Sequence, residues 1–421
     1  MSDSTRPAPP GHAPRRPLGL WMATALVVGS MIGSGVFMLP ATLAPYGAAS
    51  LVGWGISLCG ALLLAATFAR LAVHWPRTGG PYAYVRSAFG DAAGFGIAWS
   101  YWISIWSGTA AIAVAFAGSV GALFPALTAT PARGAGCALL AIWTCAAINI
   151  AGLRQAGGVQ VLVTALKLLP LLLFGLVALW FVDTSNYVPF NPSGKTLPQV
   201  AQVTVILTMW AFCGLEVATV PAGAIRDPAR TIPRATLLGT LLAGVATIVA
   251  CTAVLGLVPA AELAQSSAPM ADAAGRLWGP GAVIGVAALA AVSTFGAING
   301  WVLVCAQISL AAAGDGLFPR RFARTDAGGT PVFGLLVGAG LASLLVIANY
   351  SRSLVDLFTF ILLLATAAIL LPYAAASAAW LKTGGRGRIV AGLALAYSLY
   401  ALMGAGAQAL LWGVVLLAAG V

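Results

Sequence analysis

The sequence predicts an all-α, polytopic membrane protein built as an inverted repeat of two five-helix units, followed by two further helices. Three observations predict it. The 421 residues are 60% hydrophobic and only 7% charged, against about 25% charged in a soluble domain. The apolar residues fall into runs long enough to cross a bilayer, which takes ~20 residues. Two of those runs are interrupted near their middles, at corresponding places in the two halves.

The first run extends from about Leu18 to Pro45 and contains Gly29-Ser30-Met31-Ile32-Gly33-Ser34-Gly35. Glycine weakens helical order. Unwound backbone survives at membrane depth only where protein or a water-filled cavity satisfies it. The sixth run is interrupted at Trp210-Ala211-Phe212-Cys213-Gly214-Leu215-Glu216, which also places a carboxylate in it. Paired interruptions of this kind point to a transporter's substrate site.

Taken in order, twelve spans are expected at roughly 18–45, 48–73, 92–124, 134–153, 157–182, 198–225, 234–258, 280–313, 330–349, 353–376, 387–403 and 405–421. The last two, at ~1.5 Å per residue, reach about 25 Å and are thinly matched to a hydrocarbon core of ~30 Å. Residues 1–17 are Pro-rich and polar, without an apolar stretch of their own, and read as a disordered cytoplasmic tail rather than a signal peptide. The expected organisation is that tail, a ten-helix core at 18–376 (18–182 and 198–376), and two C-terminal helices at 377–421.

The net charge of +11 is scattered over short loops, which argues for membrane topology and against a nucleic-acid partner. With the N-terminus inside, sixteen of the 21 Lys and Arg fall in cytoplasmic segments. Arg133, Lys195, Arg276 and Arg352 fall outside, and Lys167 lies within a span. This bias places both termini in the cytoplasm, and the expected location is the inner membrane of the cell. The six cysteines all lie in apolar runs, with no CxxC pair and no neighbouring His. No metal, cofactor or catalytic array is expected, and the chain does not read as an enzyme.

The first interruption offers backbone N–H groups at Ser34 and Gly35 to a carboxylate. Carbonyls near Met31 and Cys213 suit an ammonium group. Together they fit the head group of an α-amino acid, whereas the plain structural alternative is close helix packing through small residues. Glu216 is the only acid deep in a span. A buried acid is expensive there and is read as functional by default: a cation ligand, a proton carrier or a gate latch, against a merely structural carboxylate. Lys167 is the only deep base, read as a proton carrier or a fixed positive charge, against a side chain snorkelling to the interface. Of the many aromatics, Trp210 and Trp301 lie near midspan.

The motifs Gly29–Pro40, Gly79–Gly90, Trp210–Pro233 and Gly314–Val332 occur in order along the chain. They resemble those of the amino acid–polyamine–organocation transporters, most closely the arginine/agmatine antiporter branch. The resemblance implies a LeuT-like fold of twelve helices and a homodimer. It implies a substrate carboxylate at Ser34 and Gly35 and an ammonium at carbonyls near Met31, Cys213 and Gly214. Trp210 is similar to a gating tryptophan, Tyr101 to an aromatic of the outer gate and Trp301 to the residue that stacks on the substrate. Glu216 matches a carboxylate on the inner side of the site. With Ser104, positions Thr109 and Ala365 complete the expected substrate contacts, but they depart from the asparagine and serine of the arginine exchanger. Lys167 resembles the lysine of proton-coupled relatives elsewhere in the superfamily.

The expected function is therefore exchange of a cationic amino acid for its amine or another amino acid by alternating access. A proton-coupled symporter of neutral amino acids is the alternative. A channel or solute receptor on the same scaffold is the reading from a different class; a channel calls for a polar stripe or ring of charges, and the spans hold isolated charges instead.

Overall fold

The computed structural model describes residues 18–75, 79–151, 157–219, 225–326 and 328–420, with side chains at 157–163 left aside. The described residues are helical, apart from loops and a single backbone bridge between Leu18 and Ile225. The chain opens with α1 (Leu20–Met31), α2 (Ser34–Leu43) and α3 (Ser50–His74), then a short α4 (Pro81–Phe89). Next come α5 (Asp91–Leu123), α6 (Pro131–Ile150), α7 (Gly157–Ala178) and α8 (Leu197–Met209). The second half contains α9 (Pro228–Leu257), α10 (Ala260–Leu263), α11 (Pro269–Trp278) and α12 (Pro280–Gly314). It ends with α13 (Val332–Ala348), α14 (Leu354–Thr383), α15 (Arg388–Met403) and α16 (Gly406–Ala418).

Among the described residues, seven helical stretches are long and apolar enough to cross a membrane, with α1 to α3 taken as one. The count rises to eight if α15 and α16, bent by 108° to one another, form one span. Helix α5 is the central one. Of its most apolar stretch, 89% is buried, and it packs chiefly against α12 and α14. The outer helices turn an apolar face outward. On α7, Leu166, Leu169 and Leu173 are 57%, 56% and 61% exposed, while the intervening Lys167 is only 8% exposed. Spacings of three and four residues share one helix face, so α7 presents leucines to the lipid and turns its one base inward.

Several element ends differ from expectation. The boundary expected at 376 falls inside α14, which continues through Ala376, Ala379 and Trp380 because these residues stay buried. It stops where Gly384 turns left-handed at φ 74°. Helix α4 is an unexpected element, bounded by Gly80 and Gly90 at φ 65° and 90°. Its Arg86 bridges Asp91 (2.6 Å) and Asp315 (3.1 Å), and its Tyr82 hydroxyl donates to Asp315 at 3.3 Å. The first turn of α5 and the end of α12 are thus tied together at one rim. At the C-terminal end, Trp99 Nε1 donates to the Leu416 carbonyl at 2.9 Å, docking α16 onto α5.

Candidate functional site

The end of α1 and the turns that follow α8 lie side by side. Helix α1 ends at Met31, and α2 begins at Ser34 after Gly33, whose φ of −136° and ψ of −129° are non-helical. Helix α8 ends at Met209 and gives way to short 3₁₀ turns at Trp210–Phe212 and Val217–Thr219. Between them Gly214 adopts φ 99°, a conformation that L side chains rarely enter. A Cβ there would also meet the Ser30 side chain at 3.1 Å. The Ser30 hydroxyl donates to the Gly214 carbonyl at 3.2 Å, joining the last turn of α1 to the irregular turn after α8. Met31 and Cys213 are buried beside them, and the Cys213 thiol donates to the Met209 carbonyl at 3.6 Å.

Ser34 and Gly35, expected to hold a carboxylate, face Trp210. Its indole N–H donates to the Ser34 hydroxyl at 3.1 Å, and a Cβ on Gly35 would lie 3.2 Å from the ring. The Trp210 and Trp301 rings pack at 5.6 Å between centroids. Both lean on Gly108, where a Cβ would fall 2.4 Å from Trp301 and 3.0 Å from Trp210. A bulky indole pair therefore occupies the space next to the α2 N-terminus because α5 has no side chain at Gly108.

Glu216 is fully buried, and both of its carboxylate oxygens accept hydrogen bonds. Tyr101 of α5 donates to Oε1 at 2.6 Å, and Tyr373 of α14 donates to Oε2. The Gly214 N–H in turn donates to the Tyr373 hydroxyl at 3.4 Å. This cluster clamps the 213–216 turn between α5 and α14. It also places Tyr101 with Glu216, whereas the sequence reading grouped it with Trp210 in a gate above the substrate.

A cavity of about 410 Å³ lies beside these groups. Gly29, Ser30, Gly214, Glu216, Lys167 and Trp301 line it, as do Asn149, Asn299 and Gln307. Thr330 and Pro331 reach its wall from the same α12–α13 loop as Arg320, Arg321 and Arg324. The cavity therefore borders the side of the protein that bears this arginine cluster. Small residues at Gly296, Ala297 and Gly300 leave the α12 face hollow.

Several expected contacts are not on this wall. Thr109 donates to the Ile105 carbonyl of its own helix at 2.8 Å, and Ser104 to the Tyr101 carbonyl at 2.7 Å. Ala365 is buried in α14. Tyr373, Asn149 and Asn299 were missed by the sequence reading. For the two asparagines the signal that could have found them was a polar side chain inside an apolar run, which is uncommon without a partner; Tyr373 offered no such signal.

Residues 18–420 match the amino acid permease family. The chain belongs to that family. The permease is 32% identical over 362 residues to a cadaverine/lysine antiporter of Escherichia coli, covering 85% of this chain and 81% of that one. It is 31% identical to a putative arginine/ornithine antiporter of Bacillus subtilis, covering 91% of each. Identity to the putrescine transporter PotE of Haemophilus influenzae is also 31%, over 94% and 93% of the two chains. These relatives put the permease in the basic amino acid and polyamine antiporter branch, and it is a transporter rather than an enzyme. In fold it is similar to a crystal structure of a mutant manganese transporter of Eremococcus coleocola. The TM-score is 0.63 at 12% identity, covering 99% of this chain and 95% of that one.

Proposed function

We propose that the permease exchanges a cationic amino acid for its decarboxylated amine across the inner membrane, by alternating access. The observation that carries this reading is the cavity itself. Its wall combines the last turn of α1, at Gly29 and Ser30, and the irregular backbone at Gly214–Val217 with a buried acid, Glu216, and an aromatic lid, Trp301. Backbone of that kind suits the charged ends of an amino acid. The names of the relatives supply the substrate class: a lysine or arginine, and an amine such as cadaverine or putrescine.

In this reading α1 and α2 form one broken span and α8 with the turns at Trp210–Thr219 another, residues 220–224 of the expected span lying outside the described ones. The count is then twelve spans in a LeuT-like 5+5 inverted repeat with two further helices. Both termini lie in the cytoplasm, and the arginine-flanked cavity faces inward. The substrate carboxylate binds at Ser34 and Gly35 once Trp210 swings away. Its ammonium rests near the carbonyls of Met31, Cys213 and Gly214, and Trp301 stacks on its side chain. Ser104, Thr109 and Ala365 lie on the α5 and α14 walls approached on closure. Glu216, with Tyr101 and Tyr373, is the latch that opens when substrate arrives, and the working unit is a homodimer.

One observation favours a second reading, proton-coupled symport of neutral amino acids: a base, Lys167, lines the cavity with Glu216. The experiment that separates the two is uptake of labelled arginine, lysine, ornithine and leucine into proteoliposomes, with and without internal substrate, at acid and neutral pH. Cationic uptake that requires internal substrate supports exchange. Leucine uptake driven by a proton gradient into empty vesicles overturns it.

A further inference from the structure

We infer that Lys167 and Asn299 form an inner subsite for the substrate's α-carboxylate, below the Trp210–Trp301 pair, which distinguishes an amino acid from its decarboxylated amine. The inference rests on the exchange reading above and names what the inward-facing cavity recognises.

Four observations carry it. First, the carboxylate position at the α2 N-terminus is filled in this conformation, because Trp210 donates to Ser34 and covers Gly35. A substrate in the open cavity must place its carboxylate elsewhere. Second, Lys167 is only 8% exposed and lines the cavity, with no hydrogen-bond or ion-pair partner among the described residues. A buried charge without a partner is costly, and an arriving anion supplies one. Third, the cavity's acid is not available to it. Both Glu216 oxygens are held by tyrosine hydroxyls, and among the described residues no ion pair forms between Glu216 and Lys167.

Fourth, a second donor stands nearby. The Lys167 amine lies against Gly296, 3.6 Å from where a Cβ would be. Asn299 is three residues further along α12 and also lines the cavity, and such neighbours share a helix face at about 5–6 Å. Asn149 donates to the Asn299 Oδ1 at 2.8 Å, which orients the amide with its oxygen towards α6. The Asn299 NH₂ is left without a partner among the described residues. A carboxylate seated here accepts from the Lys167 ammonium and the Asn299 amide, and charge-assisted bonds of this kind are the stronger ones. A diamine offers no acceptor and brings a like charge towards Lys167.

The test uses the full-length permease in lipid nanodiscs and two ligand pairs that differ by one carboxylate: lysine with cadaverine, and arginine with agmatine. Lys167→Gln is expected to weaken amino acid binding about tenfold or more while leaving amine binding unchanged or tighter. Asn299→Ala should act in the same direction, and Lys167→Arg should restore amino acid binding. Amine binding serves as the control for folding. Equal weakening of both members of a pair, or a change with neither, overturns the subsite. Exchange is measured in parallel with the wild type: its absence overturns the proposed function, whereas exchange with undiscriminating Lys167 variants overturns this inference alone.

Discussion

The Trp210 indole N–H donates to the Ser34 hydroxyl at 3.1 Å, joining the segment after α8 to the first turn of α2. The bond couples the two interrupted segments at the point where a carboxylate is proposed to bind. The ring also covers Gly35, where a Cβ would lie 3.2 Å from it, so a carboxylate reaches the Ser34 and Gly35 N–H groups only when the ring is displaced. Ser34→Ala removes the acceptor from a buried donor, a change worth about 1–3 kcal/mol. The expected outcome is weaker substrate binding with protein still folded in the membrane. A variant that binds substrate as the wild type does would remove Ser34 from the site.

Tyr373 touches both Glu216 and the Gly214 N–H. Tyr373→Phe deletes one hydroxyl and leaves a buried carboxylate oxygen and a backbone donor short of a partner. We expect a loss of transport of about tenfold, in line with ~1–3 kcal/mol for an unsatisfied buried group. Initial exchange rates in proteoliposomes check it, with a binding assay to separate a gating defect from lost affinity.

Glu216→Gln keeps the shape of the side chain but cannot gain or lose a proton. If the acid is the latch between Tyr101 and Tyr373, opening depends on its protonation, and the variant's transport should vary less with pH than the wild type's. An unchanged pH profile would reduce Glu216 to a structural role.

Gly108 is where the α5 backbone meets both indoles. Gly108→Ala puts a methyl 2.4 Å from Trp301 and 3.0 Å from Trp210, so both rings must shift. Overpacking of this kind typically costs about 1–3 kcal/mol. A lowered melting temperature and slowed exchange are expected together, and Gly108→Ala with wild-type values for both would contradict the packing described.

The sequence made the helices legible because each is an apolar run bounded by charges, glycines or prolines; α5, α12 and α13 begin and end within a few residues of expectation. Gly33 and Gly214 were legible for a local reason, since glycine's backbone freedom matters wherever it sits. Glu216 and Lys167 stood out because charge is rare in such runs. What stayed hidden depends on pairing between distant elements. Tyr373 reads as one more aromatic until α14 brings it to Glu216, and Asn299 matters only because α6 places Asn149 against it. Helix α4 escaped because its start is set by positive-φ glycines and its anchor is Asp315, more than two hundred residues away.

The measurement that tests the central claim most directly is the initial rate of labelled lysine uptake into proteoliposomes preloaded with cadaverine, compared with empty ones. Rapid, saturable uptake into loaded vesicles and little into empty ones is expected, with cadaverine leaving as lysine enters. Equal uptake into both, driven by a proton gradient or unsaturated in lysine, would contradict exchange by alternating access.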